Sequence, residues 1–191
     1  MEWHQIQGWF QWRSGQEDAV RHFAEDSYFL EVGNYLGRSL CSLAEVVKQS
    51  GKKFTVIGID TCQGNGPEGP QLKNYHGAAV EQGGGTFAGA LHKNIIDCGF
   101  ADSISLIISD SVTASSFFAD NFFDWIHLDA RHDYESLKED IRAWLPKVKS
   151  GSWFSGDDYN QENWPGVIRA VTEMLPKAEP WSTDQWRWIV K

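Results

Sequence analysis

The stretch from Leu30 to Leu40 reads "LEVGNYLGRSL" and decides the fold. It closes an apolar run, sets Glu31, Gly33, Tyr35, Gly37 and Ser39 on alternate positions, and then passes into helix-forming residues. Glycine at 33 and 37 allows positive φ and lets a ligand approach the main chain, while the helix that follows presents free amides toward an anionic group. A cofactor cradle is one reading. A plain tight turn between a strand and a helix is the other, and the stretch alone does not separate them.

Outward from this turn the chain alternates. Glu17 to Asp26 is expected as a short amphipathic helix, "SYFLEVG" as an apolar strand and "SLCSLAEVVKQSG" as a helix closed by Gly51. "KKFTVIGID" is a β-branched strand ending at Asp60, one strand-helix-strand unit beyond the glycines, where a carboxylate can accept ribose hydroxyls. Further on come the strands "SISLIIS", "FDWIHLD", "GSWFSGDD" and "WRWIVK", with helices between them at 86–99, 111–120, 134–148 and 165–175. This alternation predicts a mostly parallel sheet covered by helices on both faces. The segment 61–85 holds seven glycines and two prolines and is far longer than an ordinary connection, which predicts a mobile loop or lid there. Residues 1–16 are expected to form an N-terminal cap segment on a single domain spanning 1–191.

Seventeen basic residues against twenty-six acidic ones give a net charge of −9, which argues against nucleic acid or an anionic membrane surface as partner. Three scattered cysteines make no disulfide framework and no metal spacing, and the N-terminus has no signal-peptide pattern, so a cytoplasmic location is expected. The glycine spacing is not G-x-G-x-x-G and no phosphate-loop motif is present, so a cofactor with a ribose but no long phosphate chain fits better than a dinucleotide or a triphosphate.

At the ends of the strands stand acids: Asp60, then Asp110 beside Ser111, then Asp129, then Asp157 and Asp158. Asp129, Asp157 and Asp158 are expected to share a crevice, because the fourth and fifth strands should be neighbours. A hard divalent cation such as Mg²⁺ would offset their repulsion. The alternative is that Asp157 or Asp158 caps the turn before Trp164 while its neighbour is solvated.

"EVGNYLGRS" resembles the E-x-G-x-Y-x-G-x-S pattern of class I S-adenosylmethionine-dependent methyltransferases, in the form seen in catechol O-methyltransferase. "DWIHLDARHDYESLKEDIRAWLPKVKSGSWFSGDDY" resembles the second half of macrocin O-methyltransferase and the cephalosporin hydroxylase-like proteins. The resemblance covers roughly Glu17 to Tyr159 and implies a three-layer α/β/α Rossmann-like fold with a mostly parallel seven-stranded sheet and an antiparallel C-terminal strand. It implies that Gly33, Tyr35 and Ser39 line the methionine end of S-adenosylmethionine, with Ser39 meeting its carboxylate. Asp60 would hold the ribose, Ser111 and Asp110 would sit beside the adenine, and Glu31 would support the glycine turn. Asn34, Gly37, Thr61, Asp129 and Ala130 complete the implied cofactor contacts.

The implied reaction is methyl transfer to a hydroxyl of a small acceptor such as a sugar, natural product or catechol, with Mg²⁺ or another divalent cation at Asp129, Asp157 and Asp158. His132 stands where catechol O-methyltransferase carries its lysine base, and a neutral imidazole can take a proton near neutral pH. Its other readings are support of a neighbouring group or a helix cap near Tyr134. Two departures stand out: Ala130 replaces a glycine, and Arg131 replaces an aromatic residue beside the adenine. Trp9, Trp12 and Trp164 are candidates for the acceptor wall, whereas His127, Trp186 and Trp188 read as core or sheet packing. A cofactor-binding module without catalysis and a hydroxylase-like metal enzyme on the same fold are the competing functions. The oligomeric state is left open, with a homodimer among the options.

Overall fold

The computed structural model describes residues 1–64 and 75–191. Seven strands form one sheet: β1 (Ser27–Val32), β2 (Phe54–Asp60), β3 (Ile104–Ile108), β4 (Phe123–Leu128), β5 (Val148–Gly156), β6 (Glu179–Pro180) and β7 (Trp186–Ile189). Their spatial order is β3-β2-β1-β4-β5-β7-β6, so the winding reverses between β1 and β4. β1 runs parallel to β2 and β4, β2 to β3, and β4 to β5. Only β7 reverses, pairing antiparallel with β5 and with the two-residue β6. The central strands carry side chains buried on both faces, as sheet cover by helices requires.

The helices among the described residues are α1 (Arg13–His22), α2 (Arg38–Ser50), α3 (Tyr75–Gln82), α4 (Ala88–Asp97), α5 (Ser111–Ser115), α6 (Tyr134–Trp144) and α7 (Pro165–Met174). One core layer gathers Ala19 and Val20 of α1, Leu40 and Leu43 of α2, and Leu91 and Ile95 of α4 around Phe29 and Trp125. The other gathers Ala114 of α5, Leu137, Ile141 and Trp144 of α6, and Val167 and Val171 of α7 around Leu30, Ile126 and Phe154. The expected three layers and mostly parallel sheet are thus present.

α1 and the segment 61–85 differ from expectation, as do α5 and α6, which end at Ser115 and Trp144 rather than at 120 and 148. α1 starts four residues earlier and ends four earlier than the stretch Glu17 to Asp26, because Trp12 is buried at its head and Asp26 turns left-handed to donate its amide to Lys53 O at 2.7 Å. The segment 61–85 is not a loop throughout: "YHGAAVEQ" is α3, whose Ala79 and Val80 pack against the core, and the glycines that swell the local count end this helix at 83–85. Residues 65–74 of the expected lid lie outside the described residues.

Candidate functional site

The sheet brings the carboxyl ends of β2, β1, β4 and β5 side by side. Gly33 N donates to Ile59 O at 2.8 Å, Asp129 N to Val32 O at 2.7 Å, and Asp157 N to Leu128 O at 3.0 Å, which sets Asp60, Gly33, Asp129 and Asp157 in one row. These ends open into a cavity of about 870 Å³, within the upper part of the range of ligand pockets. Of the expected cofactor set, Gly33, Asn34, Tyr35, Ser39, Asp60, Thr61, Asp110, Ser111, Asp129 and Ala130 line it. Glu31 and Gly37 stand behind its wall.

The turn after β1 is held from inside. Asp60 accepts the amides of Asn34 at 2.7 Å and Tyr35 at 2.9 Å on one oxygen, and that of Cys62 at 2.7 Å on the other. A carboxylate has about four lone-pair positions, so Asp60 retains acceptor capacity toward the cavity. Gly33 has φ +90°, and a Cβ there would lie 2.0 Å from the carbonyl oxygen of Asp129. Its hydrogen side chain therefore serves contact between two strand ends before it serves any ligand. Gly37, with φ +89°, is the left-handed N-cap of α2 and supplies no side-chain cap. The Ser39 hydroxyl donates to Glu31, not to the cavity, and Asn34 Nδ2 donates to Glu31 Oε1 at 3.3 Å.

On the far side, Asp110 caps α5 by accepting from Thr113 N at 3.0 Å. The Ser111 hydroxyl accepts from Trp144 Nε1 at 2.9 Å and donates to Asp140 Oδ1 at 2.5 Å. Arg131 lies 3.7 Å from Glu139.

Beyond β4 and β5 the acids and one imidazole converge. The ligand atoms of Asp129, His132 and Asp158 lie within 4.8 Å of one another. His132 Nε2 is 2.9 Å from Asp158 Oδ2 and 3.4 Å from Asp129 Oδ1, and its ring packs against Trp164 at 4.8 Å. Asp129, Asp157 and Asp158 all line the cavity, the crevice they were expected to share, and His132 joins Asp129 and Asp158 there. Asp157 accepts instead from Gln185 Nε2 and from Asp158 N at 2.6 Å, while Asp158 adopts φ 59° and turns its carboxylate to His132. Burial first, and the neighbouring Asp157 second, push Asp129 well above the usual carboxylate range, with His132 pulling it back. Asp157 is pushed up to about 7, by burial and then by Asp158.

The remaining walls are aromatic. Trp9, Trp12 and Trp164 all line the cavity. Trp9 stacks on Tyr35 at 6.0 Å, and Trp12 is buried against His127 at 3.9 Å. His127 is a core residue: its Nδ1 meets Ser155 Oγ at 2.9 Å, and burial lowers its pKa to about 3, so the ring is neutral. Trp186 is buried in the sheet.

Residues 30–159, more than half of the chain, match the methyltransferase domain family. The chain belongs to that family. Among solved structures, the methyltransferase is similar to the O-methyltransferase NovP, with a TM-score of 0.65 at 16% identity over 94% of this chain and 79% of NovP. It is similar to the calicheamicin methyltransferase CalS11, with a TM-score of 0.61 at 18% identity over 93% of this chain and 76% of CalS11. A SAM-dependent O-methyltransferase from Thermotoga maritima gives a TM-score of 0.61 at 15% identity, covering 94% of this chain but 57% of its own. At these identities the likeness is one of fold. No curated protein matches the sequence. No helix among the described residues is long and apolar enough to cross a membrane.

Asp140, Gln185 and Arg38 are among the cavity residues of the methyltransferase that the sequence pattern did not single out. Asp140 is buried at 1% exposure and pushed up to about 6 by burial. It sits beside Ile141 on the face of α6 that the apolar spacing marks as inward, which was the available signal. Gln185 and Arg38 carry no such signal, because their partners are distant in sequence.

Glu31 gives the turn a pH dependence. Burial raises it from 4.5 to about 7, against the opposing bonds from Ser39 and Asn34. The native methyltransferase keeps a proton that the unfolded chain releases above about pH 4.5. Stability is therefore greatest below that value, and about 3 kcal/mol is lost as the pH rises to about 7, with no further loss above it. Glu31→Gln is expected to flatten this decline. Urea unfolding at about pH 5 and about pH 8 checks it, and an equal decline in both proteins would count against the assignment.

Proposed function

We propose that this methyltransferase moves the methyl group of S-adenosylmethionine to a hydroxyl of a small acceptor, assisted by a divalent cation. The observation that carries the reading is the convergence of Asp129, His132 and Asp158 within 4.8 Å in the same cavity as the strand-end cradle. The cradle suits the donor part by part. The first turn of α2 offers open amides for a carboxylate, Asp60 keeps lone pairs for ribose hydroxyls, and the pocket beside Ser111 and Ala130 takes the base. Ser39 acts on the cofactor indirectly, by fixing Glu31 behind the turn.

The carboxylates of Asp129 and Asp158 suit a hard cation and would hold it, which leaves the imidazole between them for the proton. Such a cation supplies a Lewis acid that lowers the pKa of a bound hydroxyl. His132 takes the hydroxyl proton at Nε2, the nitrogen that faces both carboxylates. Trp164 fixes the ring from the side, so the proton acceptor is placed before the acceptor molecule arrives. Trp9, exposed at the cavity mouth, offers a wall against which a sugar or aromatic ring can stack, and buried Trp12 backs the N-terminal segment that carries it. The solved relatives named O-methyltransferases share this fold and support the reaction class. The free thiols Cys41, Cys62 and Cys98 suit a reducing compartment such as the cytoplasm.

Mass spectrometry of hydroxylated acceptors incubated with S-adenosylmethionine tests the reading. One added methyl group is expected, with turnover lost to a chelator and restored by Mg²⁺ or Mn²⁺. Turnover indifferent to chelation would remove the cation from the account.

A further inference from the structure

Arg38 is the first residue of α2 and lines the cavity. Of its five N–H donors, one from Nη1 goes to Gly8 O at 2.6 Å, and Nε is buried without a hydrogen-bond partner. No carboxylate among the described residues pairs with it, although the chain carries twenty-six acids and several line this same cavity. Tying down Gly8 needs only one neutral N–H. A half-buried cation without a counter-charge is costly, and the start of a thirteen-residue helix adds positive potential beside it. Arg38 reaches the N-terminal wall. Gly8, Trp9, Gln11 and Trp12 line the cavity there, and Trp9 stacks on Tyr35.

Building on the methyl-transfer reading, we propose that Arg38 receives an anionic group, a carboxylate or phosphate, carried by the acceptor. The acceptor is then a hydroxylated acid, its ring against Trp9 and Tyr35 and its charge on Arg38. The cofactor's amino-acid carboxylate is the other source of the same chemistry, and two arms of one calorimetric experiment separate them.

In the first arm, the unaltered protein and Arg38→Gln are titrated with S-adenosylhomocysteine and with 5′-methylthioadenosine, which lacks the amino-acid carboxylate. In the second, both proteins loaded with S-adenosylhomocysteine and Mg²⁺ are titrated with 3,4-dihydroxybenzoate and with catechol, probes that differ by one carboxylate. The unaltered protein is expected to prefer the benzoate by about tenfold or more, the weight of one charged hydrogen bond. Arg38→Gln is expected to lose that preference, Arg38→Lys to keep part of it, and S-adenosylhomocysteine affinity to stay unchanged in both. Glutamine can still donate to Gly8 O, so the wall is not undone. Absence of the benzoate preference in the unaltered protein, or its survival in Arg38→Gln, overturns the proposal. Loss of S-adenosylhomocysteine affinity with 5′-methylthioadenosine unaffected overturns it too, by moving the anion to the cofactor. Failure of the unaltered protein to bind S-adenosylhomocysteine would instead sink the methyl-transfer reading on which the proposal rests.

Discussion

Replacing His132 by alanine is expected to lower the turnover of methyl transfer by about 10²–10⁴-fold, the usual share of a placed proton acceptor, with S-adenosylhomocysteine affinity unchanged. The expectation rests on placement. His132 follows β4 by a short turn, Nε2 stands 2.9 Å from Asp158 Oδ2 and 3.4 Å from Asp129 Oδ1, and Trp164 holds the ring. No other imidazole shares that cluster among the described residues, since His127 is buried in the core with Trp12 and Ser155. Steady-state kinetics at saturating cation separate two roles for the ring. A fall in turnover that persists at high Mg²⁺ marks a proton acceptor, whereas recovery at high Mg²⁺ marks a metal ligand. Full activity in the variant would reject both.

Gly33→Ala is expected to cost more than about 4 kcal/mol and to yield little folded protein. A left-handed φ of +90° already disfavours any side chain there. Steric overlap weighs more: the new Cβ would meet Asp129 O at 2.0 Å, Asp129 C at 2.4 Å and Ala130 Cα at 2.7 Å. All three are main-chain atoms, so no rotamer change relieves the overlap. β1 and β4 would have to separate at their carboxyl ends, which breaks the bond from Asp129 N to Val32 O. Thermal unfolding of the variant checks this, and a melting temperature near that of the unaltered protein would mean that the strand ends are not in contact.

The same glycine shows what was and was not legible in the sequence. Its place at the end of a strand, with Asp60, Asp129 and Asp157 at the ends of three others, followed from apolar runs alternating with helices. The reason for its lack of a side chain did not, because the atoms it meets belong to Asp129 and Ala130, far along the chain. The acids were found by position, but their grouping turned on a backbone detail. The left-handed Asp158 turns to His132, and Asp157 accepts from Gln185. Ser39 was legible as part of the turn and lines the cavity, yet its hydroxyl proton goes to Glu31, a buried acid in need of donors. α3 was hidden by composition, because glycines on both sides masked an Ala-rich turn of helix. Arg38 and Gln185 were missed for one cause. A polar residue becomes a site residue through its tertiary neighbours, and single-residue patterns do not carry those.

The central claim is that the strand-end cavity holds S-adenosylmethionine by the turn from Gly33 to Ser39. Calorimetric titration with S-adenosylhomocysteine tests it most directly. The account predicts one bound molecule per chain, displaced by S-adenosylmethionine, and affinity sharply reduced when Asp60→Ala releases the amides of Asn34 and Tyr35. Absence of binding to the unaltered protein, or binding untouched by Asp60→Ala, would contradict it.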